Sequence, residues 1–176
     1  IRWHTRVPVV HPAQITQGFV TALTGPARGR AVYVAIHANH AREFTDAARA
    51  ALARLSDAGV ILVSQSVLLA GVNDSMQALA ALMRAFVENR VKPYYLHHGD
   101  LAPGTGHFRV SIERGLQLVE GLRGSLSGLA QPLYVLDLPG GHGKVPVASG
   151  RRLDDGRYEF RDRAGRTHLY PPGAGN

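Results

Sequence analysis

The sequence predicts an α/β chain with parallel strands, closed by a small antiparallel hairpin, and three observations carry that prediction. Five continuous apolar runs, Thr5–Val10, Ala31–His37, Val60–Leu69, Val91–His97 and Pro132–Leu138, look like strands buried on both faces rather than half-exposed alternating ones. Between them, apolar residues recur at helical spacing, which gives a strand–helix order and right-handed crossovers. After Lys144 the pattern changes: "DDG" and "RAG" are turn signals around "RYEFRDR" and before "RTHLY".

The elements follow in order. A short helix, Gln17–Leu23, comes after Thr16. From Phe44, residues Ala48, Ala51, Leu52 and Leu55 form an apolar stripe, with Thr45 as its cap and Gly59 beyond its end. Leu79, Leu82, Met83, Phe86 and Val87 repeat that spacing after "GVND", where Asn73 or Asp74 is the expected cap. Ile112, Leu116, Val119 and Leu122 do so after Ser111, and "RG" at 123–124 is the expected stop. The last residues, 171–176, read as a disordered tail.

Composition bounds the function. The chain has 176 residues, no cysteine and a formal charge of +7. It therefore offers no disulfide, thiol nucleophile, thiolate zinc site or iron–sulfur ligand, and no metal site is expected. The arginines are scattered, and the one adjacent pair, Arg151 and Arg152, sits beside Asp154 and Asp155, so nucleic-acid binding is not expected. Apolar runs fall short of the roughly 20 residues that cross a bilayer, and "IRWHTRVPVV" does not read as a signal peptide. A cytoplasmic protein without membrane contact is expected.

In such folds ligands gather at the C-terminal ends of the strands. Those ends carry His37, Asn39 and His40, then Asn73 and Asp74, then His97, His98 and Asp100, and finally Asp137 with "PGGHGK". This last stretch is not a phosphate loop of the Walker type, because Val145 stands where Ser or Thr is required. Its glycines, Gly140, Gly141 and Gly143, suit either a ligand cradle or a surface turn. There are eighteen arginines and only two lysines, Lys92 and Lys144. Guanidinium neither forms an imine nor loses its proton near neutrality, so a lysine retained in this loop is a candidate for primary-amine chemistry. Asp100 and Asp137 suit a shared grip on one ammonium group, or the ordering of their own loops. His37 and His40 in "HANH" suit hydrogen bonding to a ligand or the core better than metal binding, since no third ligand is evident.

The stretches "HTRVPVVHPAQIT", "AIHANHAREFT", "LSDAGVILVSQSVLLAGVNDS", "KPYYLHHGDL", "HFRV", "EGLRGSLSG" and "LDLPGGHGKVPV" together resemble the lysine 2,3-aminomutase family, in order from about Arg2 to Val147. The resemblance implies the C-terminal part of a partial (β/α) barrel over 1–147, a hairpin extension over 148–170 and a tail over 171–176. It implies a radical enzyme that interconverts L-lysine and β-lysine with pyridoxal 5'-phosphate, S-adenosyl-L-methionine and a [4Fe–4S] cluster. Lys144 would carry pyridoxal phosphate as an imine beside Gly140, Gly141 and Gly143, with Tyr94 also touching that cofactor. His37 and Gln65 would lie near S-adenosylmethionine, and Asp100 and Asp137 would hold the distant ammonium group of lysine. The cluster's CxxxCxxC motif and the arginines for phosphate and carboxylate are expected in an N-terminal half, so these residues by themselves are expected to be inactive. A homo-oligomer is implied at full length. The family branch that supplies β-lysine for elongation factor P fits equally, and a degenerate α/β binding module without radical chemistry is the alternative from another class. Ser64, Ala70, Ser125, Leu126 and His142 depart from the family pattern, and Ser75 stands where some relatives have a zinc-binding thiol.

Overall fold

The computed structural model describes residues 1–27 and 29–171; most of the expected tail, 172–176, lies outside the described residues. Six strands form one sheet in the order β1 (Arg2–Thr5), β2 (Tyr33–His37), β3 (Ile61–Val67), β4 (Val91–His97), β5 (Leu133–Asp137) and β6 (Lys144–Pro146). The first five pair in parallel. Strands that are sequential in chain and in space, joined by right-handed crossovers, bring every crossover to the same face. That order is the singly wound one of a barrel segment and not the reversing order of a doubly wound sheet.

The helix-covered face holds the core. Val34, Ile36, Leu62, Leu96, Tyr134 and Leu136 from the sheet pack with Leu52, Leu55, Leu82, Phe86, Leu118 and Leu122 from helices α3 (Asp46–Asp57), α4 (Met76–Glu88) and α5 (Ile112–Ser125). The opposite face carries exposed Tyr33, Ile61 and Leu133 at its lower end. Helix α2 (Gln17–Thr24) and the three longer helices each begin with a hydroxyl that accepts from an amide three residues on: Thr16, Thr45, Ser75 and Ser111. Each such cap contributes about 1 kcal/mol.

Four expectations are corrected. The first strand is Arg2–Thr5, not Thr5–Val10; Val7–Val10 is a helical turn, α1. Pro8 has no N–H for a ladder but suits a first helical turn, and Thr5 Oγ1 accepts from the Val7 amide at 3.0 Å. The cap of α4 is Ser75, because Asn73 and Asp74 are engaged in the preceding loop: Asn73 Oδ1 accepts from Leu69 and Asp74 Oδ1 from Gly71. Helix α5 continues through Gly124 to Ser125. Lys144–Pro146, finally, is not loop but an antiparallel edge strand, returned against β5 by the glycine turn.

The C-terminal hairpin is present as β8 (Tyr158–Arg161) and β9 (Thr167–Tyr170), with β7 (Arg151–Arg152) added to make three antiparallel strands. Its Tyr158, Phe160 and Tyr170 join the same buried cluster as the main sheet. Among the described residues, no helix is long and apolar enough to cross a membrane.

Candidate active site

Strand alternation decides which side chains face away from the helices. The register pairs His37 with Gln65, Gln65 with Tyr95, Val67 with His97, His97 with Val135, and Asp137 with Lys144. His37, Gln65, Tyr95, His97, Asp137 and Lys144 therefore form one row along the C-terminal ends of β2 to β5 and the start of β6, on the helix-free face.

Asp137 is the hub of this row. One carboxylate oxygen pairs with Lys144 Nζ, and the other accepts from His97 Nδ1 at 2.9 Å. Burial by itself would raise the Asp137 carboxyl, but the hydrogen bonds and charges of Lys144 and His97 outweigh it and hold the group below the usual carboxylate range. His97 moves down too: burial disfavours its charged form more than Asp137 favours it. The pair is thus a carboxylate and a neutral imidazole with its hydrogen on Nδ1. That tautomer leaves a lone pair on Nε2, which is buried and has no hydrogen-bond partner. His37 is in the same condition; burial, then Arg6, push its pKa down, and its Nε2 is also unpartnered. Two orphaned imidazole nitrogens on one wall mark a place where a polar ligand fits.

Around this hub, Gln65 Oε1 meets His4 Nδ1 at 2.7 Å. Tyr94 is more exposed than expected of a cofactor contact; its hydroxyl meets that of Tyr95 at 3.1 Å, and it is Tyr95 whose ring stands edge-on to His97. Asp100 lies in the loop after β4, exposed, where its charge acts on His97 and His98. Gly140, Gly141 and Gly143 take φ of +82°, +76° and +95°, which turns the chain tightly enough for Lys144 to return opposite Asp137. His40 is a loop residue: its Nδ1 accepts from Arg42 N, and Glu43 reaches back to the His40 amide.

No family model matches the chain. Over 147 residues, 84% of the chain, it is 45% identical to the L-lysine 2,3-aminomutases of Methanococcus maripaludis and Acetoanaerobium sticklandii, and 38% identical to the glutamate 2,3-aminomutase of Clostridioides difficile. The chain belongs to the lysine 2,3-aminomutase family. It spans about a third of the length of these relatives, covering 33%, 35% and 34% of them respectively.

Within this aminomutase segment, the residues singled out from sequence fall into two groups. Lys144, Asp137, Gln65 and His37 share the wall; Tyr94 and Asp100 stand at its margin. The sequence reading assigns no role to His97, Tyr95 or His4. The signal for His97 was available: it lies two residues after Tyr95, and so on the same face of a strand, and its C-terminal position matches that of Asp137. Nothing in the sequence marks His4, whose partner Gln65 is 61 residues away.

Proposed function

We propose that this segment forms the amine-handling wall of a 2,3-aminomutase that interconverts L-lysine and β-lysine. The observation that carries the reading is the Lys144–Asp137–His97 constellation, in which the one lysine of the wall meets a carboxylate ordered from its other side.

The residues fit pyridoxal phosphate through Lys144, the tight glycine turn that presents it, and the unpartnered Nε2 of His97. Bound there, the cofactor would supply an electron sink. His37 and Gln65, farther along the row, would face S-adenosylmethionine. With no cysteine among the 176 residues, thiolate ligands for a [4Fe–4S] cluster would have to come from outside them, and these residues alone are expected to turn over no substrate.

The chain's own groups then have distinct tasks. Asp137 aligns the Lys144 amine. With Lys144 engaged by the cofactor, the Asp137 oxygen it occupied is free for an ammonium hydrogen, while His97 stays on the other. Asp100 contributes a second negative charge from the neighbouring loop. Two carboxylates favour a cationic substrate and disfavour glutamate, whose side chain would be repelled.

The test is to add pyridoxal phosphate, reduce with borohydride and map the modified residue. Modification on Lys144, lost in Lys144→Ala, is expected. Modification of Lys92 instead, or of the Lys144→Ala variant to the same extent, would overturn the assignment. In the full-length polypeptide, Lys144→Ala is expected to abolish β-lysine formation.

A further inference from the structure

Three side chains outside this wall meet where the Lys144 loop touches the C-terminal sheet. The ring of His142, in the loop, stacks on that of His168, on β9, with centroids 4.3 Å apart and planes 33° from parallel. His168 Nε2 lies 2.9 Å from Asp162 Oδ2. Asp162 opens the turn between β8 and β9, and its side chain is only 2% exposed. One donor atom from each of the three lies within 4.8 Å of the other two. We propose that His142, Asp162 and His168 form a binding site for a borderline divalent cation of the Zn2+ class, which ties the Lys144 loop to the C-terminal sheet.

Two imidazoles and one carboxylate are a donor set that suits zinc, with a fourth position left to water. Bond lengths of about 2.0–2.1 Å put tetrahedral donors on the order of 3.3 Å apart, so His168 and Asp162 are close to the needed separation already. His142 has to close the remaining gap. It is exposed, and it sits between Gly141 and Gly143, which have open space around them. Its ring makes no side-chain hydrogen bond among the described residues, so the move breaks none.

Asp162 needs no rearrangement of its backbone contacts. Its Oδ1 accepts from the amides of Ala164 and Arg166, and its Oδ2 from Arg166 Nε at 2.9 Å as well as from His168. Arg166 is 65% exposed and can swing into solvent, and the entering cation takes over its charge at Oδ2. His168 changes tautomer: the hydrogen that Nε2 shares with Asp162 moves to Nδ1, and the Nε2 lone pair goes to the metal. The sequence offers no reason to join these residues, since His142 precedes Asp162 by twenty positions and the main sheet's edge strand, Lys144–Pro146, lies between them.

The chain, stripped with EDTA, is titrated with Co2+ followed by its visible d–d bands, and with Zn2+ by calorimetry. One ion per chain at micromolar affinity or better is expected. His142→Ala, His168→Ala and Asp162→Asn should each weaken it at least tenfold; the Asn keeps the turn's amide acceptor. His107→Ala, an exposed histidine elsewhere, should bind as the parent does. Zinc should slow hydrogen exchange of the amides at 140–143 in the parent and not in His142→Ala. Absence of one-to-one binding, parental affinity in His142→Ala, or loop exchange unchanged by zinc overturns the proposal. None of these readouts depends on aminomutase activity.

Discussion

Asp137 holds two partners on two oxygens, and what each contributes follows from its exposure. The Asp137 and Lys144 side chains are each 37% exposed, so their ion pair is screened and contributes no more than about 1 kcal/mol to stability. Its importance lies in alignment. Asp137→Asn keeps the shape, loses the charge, and is expected to shift the chain's melting by little. In the full-length polypeptide it should raise KM for lysine roughly 30-fold, the equivalent of about 2 kcal/mol for one charged hydrogen bond, and change pyridoxal phosphate affinity far less. Steady-state kinetics beside a cofactor titration check this, and equal losses in both would remove Asp137 from substrate binding. Lys144 and Asp137 were legible in the sequence because a rare lysine and a strand-end carboxylate are compositional signals. The value of His97 was not, because its orphaned Nε2 and its bond to Asp137 depend on the β4–β5 register.

At the scale of elements, helical stripes and caps were legible wherever the chemistry is local: Thr16, Thr45 and Ser111 cap as their types require. What misled was competition for the same residue. Asn73 has the right type for a cap but is wholly buried, and its amide donates to the carbonyls of Asn39 and Val67, joining the loops after β2 and β3. Helix α5 offers a sharper case, since two of its glycines look alike in sequence and differ in packing. A Cβ on Gly115 would stand 2.0 Å from the hydroxyl of Tyr134, a buried, ring-stiff side chain that also meets His98 Nδ1 at 2.7 Å. A Cβ on Gly121 meets the flexible end of Met76. Gly115→Ala is expected to destabilise by about 1–3 kcal/mol through overpacking. Gly121→Ala should be neutral or stabilising, because a gain of roughly 1 kcal/mol in helix propensity offsets a rotamer change in Met76. Urea midpoints of the two variants check this, and equal losses would mean that the α5 backbone, not Tyr134, sets the limit.

At the scale of the whole molecule, the two sheets share one core, and the join is where pH acts. His98 directly follows β4, meets Tyr134 on one side, and stands edge-on to Tyr170 of the C-terminal sheet with centroids 5.5 Å apart. Burial pushes its pKa down from 6.5 to about 4, with Asp100 opposing only weakly. In the folded chain the ring is neutral; in the unfolded chain it takes a proton near 6.5. Its contribution is therefore complete above pH 6.5 and is lost as pH falls towards about 4, because in that window the unfolded state binds the extra proton. The full loss is on the order of 3 kcal/mol. His37 and His97 are displaced in the same direction and add to the slope. Asp162, held far below the usual carboxylate range first by its bond from His168, acts only in a more acidic window. Denaturation by urea should thus show clearly lower stability at pH 5 than at pH 7, and His98→Gln, which keeps a polar side chain without a titrating group, should lessen but not abolish that difference. Because Tyr170 and His98 join the sheets, the acid loss should appear in probes of both at once. A pH 5 stability equal to that at pH 7, or a slope unchanged in His98→Gln, would mean that the buried ring at this junction does not set the molecule's acid sensitivity.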